Sequence, residues 1–361
     1  MKQAILLLED GTAYTGRSFG ADGTTTGEVV FNTSITGYQE ILTDPSYKGQ
    51  MVAMTYPLIG NYGIHPHDME SDQIWVEGLI VHEYTAFPSH WAASDSLDAW
   101  LKKYQIVAID QIDTRALTRK IRTQGAMKGI LSTQLFDTTL LAQKLKTAPS
   151  LSGQDWVSQV SCPKKYFWNE GGQFHIVAYD FGIKRNILQM LASHNCHVTV
   201  VPAYTKATDV LAMNPDGILL SNGPGDPETA TMAIRNTEQL LGKKPILGIC
   251  LGHQILALAL GGKTYKLKFG HHGGNHPVMD LATKKIQITA QNHGFAVDPV
   301  SVQNEMVITH MNLNDQTVEG MRHKTLPIIS FQYHPEASSG PHDAHQLFQT
   351  FLDLLPPYGN R

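Results

Sequence analysis

The chain has 361 residues, 28 Lys and Arg against 32 Asp and Glu, a formal net charge of −4 and three cysteines. That length exceeds what one hydrophobic core usually organises, so two domains are expected. The slightly acidic balance offers no basic field to a nucleic-acid backbone or an anionic membrane, and Cys162, Cys196 and Cys250, without any Cys-x-x-Cys spacing, suggest neither a zinc site nor a redox pair and fit a reducing compartment.

The opening run, Met1-Lys2-Gln3-Ala4-Ile5-Leu6-Leu7-Leu8, is too short for a signal peptide, is broken at once by Glu9 and Asp10, and reads as the first strand of a cytoplasmic protein. Residues 1–150 are rich in Gly and Thr and show little helical periodicity before Leu97. They carry turn-rich pieces such as Asn32-Thr33-Ser34-Ile35-Thr36-Gly37-Tyr38, so a strand-rich domain is predicted. Its helices are expected over 94–104 and 114–123, the second started by Asp113. Residues 151–172 lack periodicity, contain Pro163 and Gly171-Gly172, and read as a linker.

The remaining segment, 173–361, alternates apolar strands with helical patterns, the signature of a parallel sheet covered on both faces. Strands are predicted at 175–179, 196–201 and 217–220, with a helix at 184–192. A fourth strand, Pro245-Ile246-Leu247-Gly248-Ile249, stops at Cys250 and hands over to a helix beginning Leu251-Gly252-His253-Gln254 and ending at Gly261-Gly262. The run from 246 to 260 is too interrupted by glycine, His253 and Gln254 to span a membrane. Residues 275–320 contain strand-like pieces at 285–290 and 305–310 and suggest an antiparallel extension. The sheet resumes at Ile328, and a last helix over 342–355 is closed by Pro356-Pro357.

A cysteine lifted on a sharp strand-to-helix turn between small residues is the geometry of a nucleophile elbow. At an ordinary pKa of about 8.5, only about 3% of a thiol is ionised at neutral pH, so such a cysteine needs a helix N-terminus and a histidine. Ile328-Ile329-Ser330-Phe331-Gln332-Tyr333-His334-Pro335-Glu336 supplies a candidate base with a carboxylate two positions on, so Cys250, His334 and Glu336 read as nucleophile, base and orienter. The bland reading of Cys250 is a small buried hydrophobe, and that of Glu336 a helix-start acid.

Ser221-Asn222-Gly223-Pro224-Gly225-Asp226-Pro227 is either a surface turn or a loop whose Gly225 N–H, with that of Leu251, meets an oxyanion; it lacks the Lys-Ser/Thr ending of a phosphate loop. Gln254 is either helix surface or a substrate contact, and Gln291-Asn292-His293-Gly294-Phe295 reads as a polar turn of equally open purpose. His271, His272 and His276 form either a metal cluster or a glycine-rich turn bearing hydrogen-bonding histidines, and the second is favoured because no acid or thiol completes the set. His65 and His67 are read the same way.

Together, Gly248-x-Cys250-x-Gly252-x-Gln254, His334-Pro335-Glu336 and Asn222-Gly223-Pro224-Gly225-Asp226-Pro227 resemble the class I, triad-type glutamine amidotransferases. The resemblance covers the second domain and implies a flavodoxin-like, doubly wound, mostly parallel sheet. In the first domain, Gly27-Glu28-Val29-Val30-Phe31-Asn32-Thr33, Thr36-Gly37-Tyr38-Gln39-Glu40, Thr43-Asp44-Pro45-Ser46-Tyr47 and Gly60-Asn61-Tyr62-Gly63 resemble the small, glutamine-hydrolysing subunits of carbamoyl phosphate synthetase. Tyr179-Asp180-Phe181-Gly182-Ile183-Lys184-Arg185-Asn186, Gly270-His271-His272-Gly273-Gly274-Asn275-His276-Pro277 and Gln291-Asn292-His293-Gly294-Phe295 extend that likeness into the second half. Ser338-Ser339-Gly340 departs from the Ser-Pro-Gly of the family in a loop after Glu336.

By this resemblance Cys250 attacks the side-chain amide of L-glutamine, His334 serves as base and then acid, and Glu336 orients His334. The glutamine contacts implied are Ser46, Gly223, Gly225, Leu251, Gln254, Asn292, Gly294 and Phe295. No metal or other cofactor is implied for this chain. ATP, bicarbonate and a divalent metal are expected on a carbamoyl phosphate synthetase large subunit that receives the ammonia, in the first step of pyrimidine or arginine synthesis. Two other readings stand beside this one: an assembly subunit with negligible hydrolysis of its own, and a glutaminase feeding some other synthase.

Overall fold

Short apolar runs separated by glycine turns favour strands, and they dominate the first of the two units into which the chain divides. The computed structural model describes residues 2–357; the units are Met1–Gln154 with Lys268–Gly273, and Asp155–Leu267 with Gly274–Arg361. The strands of the first unit are β1 (Gln3–Leu8), β2 (Ala13–Gly20), β3 (Thr24–Asn32), β4 (Gln50–Met54), β5 (Leu58–Ile59), β6 (Gly78–Ile80), β7 (Glu83–Tyr84), β8 (Val107–Asp110) and β9 (Met127–Ser132). Seven of them close a barrel in the order β1-β2-β8-β6-β4-β3-β9, while β5 and β7 pair separately. Closure leaves no unpaired sheet edge. Leu6, Val29, Met51, Ile80, Ile109 and Leu131, one from each of six barrel strands, share one core cluster.

The helices of this unit are α1 (Tyr38–Thr43), α2 (Leu97–Lys103), α3 (Thr114–Gln124) and α4 (Thr138–Thr147). The start predicted at Asp113 holds, since its carboxylate accepts from Ala116 N. The helix predicted from residue 94 begins three residues later, because Ser96 caps it while the Ser94 hydroxyl donates to Ile64 O.

The second unit holds β10 (Tyr166–Phe167), β11 (Phe174–Asp180), β12 (Cys196–Pro202), β13 (Gly217–Leu220), β14 (Ile246–Ile249), β15 (Thr264–Asp280), β16 (Ile286–Val297), β17 (Met306–Asn312), β18 (Val318–His323) and β19 (Ile328–Phe331), with Lys268–Gly273 of β15 assigned to the first unit. They form one sheet in the order β10-β12-β11-β13-β14-β19-β18-β17-β15-β16. Strands β12, β11, β13, β14 and β19 pair in parallel, and the antiparallel extension follows through β18 and β17. Successive strand residues point to opposite faces. Accordingly Ile176, Ala178, Leu219, Leu247 and Ile329 join one core cluster, and Val177, Tyr179, Ile218, Leu220, Ile246 and Ile328 another. Both faces are thus covered, by α6 (Arg185–Ser193), α7 (Ala207–Ala212), α8 (Thr231–Leu240), α9 (Leu251–Ala259) and α10 (Leu347–Leu352), after a short α5 (Val157–Val160). No helix among the described residues is long and apolar enough to cross a membrane.

Several local expectations change. The stretch read as a linker contains α5 and β10, and β10 pairs antiparallel with β12. The polar turn at 291–295 and the glycine-rich turn around His271 are interior stretches of β16 and β15. The last helix is α-helical only over Leu347–Leu352. Its flanks wind through shorter bonds, such as Leu347 N to Ala344 O and Leu355 N to Leu352 O, which still turn Ala344, Leu347, Phe348, Phe351 and Leu355 into the core.

Candidate active site

Strand β14 lies between β13 and β19 and is buried throughout, so its backbone can leave the sheet only at its end. It does so at Cys250, whose φ of 53° and ψ of −103° lie in a range that costs a residue with a side chain about 1–3 kcal/mol. The surrounding bonds hold the turn: Cys250 N donates to Phe331 O (2.8 Å), and Gly252 N to Ser221 O (3.0 Å). A Cβ on Gly252 would stand 2.1 Å from Leu220 O, so only glycine lets α9 start against β13. The same close approach applies to Gly223, where a Cβ would lie 2.2 Å from Phe181 O. Gly-x-Cys-x-Gly is therefore a packing requirement of the elbow as well as a pattern.

Cys250 is 2% exposed, and its thiol lies 3.5 Å from Asn292 O. The partner histidine sits beyond the end of β19, where His334 N donates to Ala290 O (2.9 Å) in a single bridge to β16. Its Nδ1 meets Glu336 Oε1 at 2.6 Å, and its Nε2 is buried without a hydrogen-bond partner. Burial works against a charge on His334, but Glu336, with help from Cys250, outweighs it and raises the imidazole's proton affinity. Burial likewise opposes the charge on Glu336, and Lys184 and His334 outweigh it, holding the carboxyl well below its ordinary range.

Lys184, at the N-terminal edge of α6, places Nζ 2.9 Å from Glu336 Oε1 and 2.6 Å from Ala337 O. It is 2% exposed, and its own N–H donates to Asn222 Oδ1 (3.1 Å). Asn186 donates through Nδ2 to Glu336 O. Neither Lys184 nor Asn186 has a role that follows from the sequence alone. One signal was present: two cations, Lys184 and Arg185, stand at a helix N-terminus, where the helix dipole disfavours positive charge, so a local acid must offset it.

Gln254, 3% exposed, donates from Nε2 to Phe295 O (2.8 Å) and Gln332 Oε1 (3.0 Å), tying α9 to β16 and to the segment before His334. Leu251, Asn292 and Phe295 are buried and Gly294 is partly exposed. Gly223 and Gly225 lie in the loop after β13, where a Cβ on Gly223 would also touch Leu251, and one on Gly225 would touch Trp156. Cys250, Leu251, Gln254, Asn292 and Phe295 are thus linked by direct bonds or adjacency within the second unit, and the bonded His334–Glu336 pair lies near enough for Cys250 to act on the imidazole. Ser46 belongs to the first unit, in the turn Pro45–Tyr47, with its N–H bonded to Asp44 Oδ1 (2.9 Å). His253 is a core residue: burial lowers its pKa to about 3, and Nδ1 meets Ser330 Oγ at 2.9 Å.

A doubly covered, mostly parallel sheet with a strained cysteine at the carboxyl end of a central strand and a buried His-Glu pair beside it defines the class, and residues 177–354 match the family model described as Glutamine amidotransferase class-I. Residues 6–131 match a second, described as Carbamoyl-phosphate synthase small chain, CPSase domain. The chain belongs to the carbamoyl phosphate synthase small chain family. It is 58% identical over 367 residues to the Carbamoyl phosphate synthase small chain of Syntrophotalea carbinolica, covering 98% of each chain. Against that of Chlorobaculum tepidum it is 55% identical over 356 residues, covering 98% of this chain and 97% of the relative. Against that of Aquifex aeolicus the values are 54% over 366 residues, 98% and 99%.

Proposed function

We propose that this chain hydrolyses glutamine and delivers the ammonia to a carbamoyl phosphate synthase large chain, which uses ATP and bicarbonate to make carbamoyl phosphate. The observation that carries the reading is the strained elbow at Cys250 beside the buried His334–Glu336 pair. Sγ of Cys250 adds to the side-chain carbonyl carbon of glutamine while His334 holds the proton given up by the sulfur. Collapse of the tetrahedral adduct breaks the C–N bond, and His334 returns the proton to the departing ammonia. Water, deprotonated by His334, then attacks the thioester and releases glutamate and the thiol.

Glu336 keeps Nδ1 engaged throughout, which directs Nε2 to the sulfur and the leaving group. The N–H groups of Leu251 and Gly225 receive the oxyanion, each donor being worth about a hundredfold in rate. Within the second unit, Gly223, Gln254, Asn292, Gly294 and Phe295 hold the glutamine. The reaction takes place in the cytoplasm, and this chain works without a metal or cofactor of its own.

Glutamate release from glutamine, measured for the purified chain alone and with the large chain, tests the reading. Turnover is expected to rise when the large chain is added and to vanish in Cys250→Ser. Equal rates for wild type and variant would overturn it.

A further inference from the structure

A buried polar relay runs through β16 and β18 behind the site. Glu319, in β18, is fully buried. Its Oε2 accepts from Gln291 Nε2 (2.9 Å), and its Oε1 from Asn312 Nδ2 (3.0 Å) and Thr317 Oγ1 (3.4 Å). Side-chain donors thus reach both oxygens, as suits a carboxylate, and a ring nitrogen of His271, one of His293 and a Glu319 oxygen lie within 4.8 Å of one another. The orientation of the Gln291 amide follows, because its NH2 must face the carboxylate and its Oε1 must therefore face the other way. That oxygen lies 2.9 Å from Nε2 of His293. The second ring nitrogen, Nδ1, lies 2.8 Å from Phe295 O.

Both ring nitrogens of His293 thus meet oxygen acceptors. A neutral imidazole carries one N–H and could satisfy one of them, whereas an imidazolium satisfies both. The carboxylate one amide away supplies the compensating charge. Phe295 O also accepts from Gln254 Nε2, and Asn292 O faces the sulfur of Cys250, so the stretch held by this relay is the one against the nucleophile.

We propose that Glu319 is a positioning residue for glutamine: through Gln291 it keeps His293 as a doubly donating imidazolium, whose bond to Phe295 O fixes the backbone of 292–295 that receives the substrate. The proposal rests on 292–295 being glutamine contacts. In Glu319→Gln the amide meets Asn312 and Gln291 with one oxygen and one NH2, so one donor faces another. Gln291 is then free to turn over, and His293 loses its reason to carry two protons.

The test has two arms. For wild type and Glu319→Gln, each assembled with the large chain, glutamine KM and kcat are measured beside ammonia-dependent synthesis. KM is expected to rise about tenfold with kcat within about threefold, the mark of lost ground-state positioning. Ammonia-dependent synthesis should be unchanged. An unaltered KM in a variant that still supports that synthesis overturns the proposal. In the second arm, histidines of the full chain are 15N-labelled and the His293 signal is identified by its loss in His293→Gln. At neutral pH both ring nitrogens should show protonated shifts in wild type, and one should change in Glu319→Gln. A wild-type His293 with one bare nitrogen overturns the proposal even if Glu319→Gln does not fold. Absence of any glutamine hydrolysis by the wild-type assembly would instead break the proposed function, leaving the spectroscopic result to stand alone.

Discussion

Each unit buries a carboxylate completely and gives it a cation, and the two arrangements serve different ends. In the first, Asp110 at the end of β8 takes Arg17 of β2 through Nε at 2.9 Å and through a second guanidinium nitrogen, and the two residues face each other across the ladder. Arg17 keeps 28% of its side chain in solvent. In the second, Glu336 shares one oxygen between Lys184 and His334, and none of the three side chains exceeds 3% exposure. A planar bidentate pair locks strand register and exchanges no proton, since guanidinium stays charged at any working pH. A carboxylate divided between a fixed cation and an imidazole leaves the imidazole's far nitrogen able to take and return a proton. On the proposed function, burial of charge marks a fold device in one case and a chemical device in the other; the number of mobile protons separates them.

The sharpest way to break this comparison is Glu336→Gln. Glutamine turnover is expected to fall about a thousandfold or more through loss of the imidazole's orienter, and the stranded Lys184 should also cost about 3 kcal/mol in urea unfolding. Adding Lys184→Met should restore most of the stability and none of the turnover; recovery of both would make the triad a fold device like its counterpart. Asp110→Asn is expected to cost about 3 kcal/mol with kcat for glutamine unaltered, and a matching loss of kcat would erase the distinction.

Unfolding midpoints across pH form a gentler test. The Glu336 carboxyl is lowered from 4.5 to about 2, so its contribution is complete above 4.5 and fades as pH falls toward about 2. The His334 imidazole is raised from 6.5 to about 10, so its contribution is complete below 6.5 and fades as pH climbs toward about 10. The alkaline loss should persist in Asp110→Asn and disappear in His334→Asn. The smallest effect belongs to Ser330→Ala, which removes the partner of His253 Nδ1 and should cost about 1 kcal/mol with turnover nearly unchanged, as thermal unfolding and glutamate release would show.

What could be read from the chain and what could not divides by distance along it. Gly248, Cys250 and Gly252 announce the elbow because strand end, turn and helix start are consecutive, and each glycine answers a steric demand within a few residues or one neighbouring strand. His334 and Glu336 are legible as a pair because a single proline separates them. Lys184 was passed over because its acid lies in another segment of the chain. The stretches around His271 and Asn292 were read as turns because Gly, Asn and His disfavour strands, yet pairing with neighbours in a ten-stranded sheet outweighed that preference. The last helix, expected over 342–355, is α-helical only over Leu347–Leu352, although Ala344, Leu347, Phe348 and Phe351 still share one core cluster.

By itself the sequence determined the elbow at Cys250, the His334–Glu336 pairing two positions apart, and the alternation that makes a doubly covered sheet, since all of these follow from short-range sterics and periodicity. Only the tertiary structure decided which distant side chains complete the site. Lys184 meets Glu336, and Glu319 meets Gln291, because strands and helices far apart in the chain are packed together, and a buried carboxylate must find donors wherever that packing brings them.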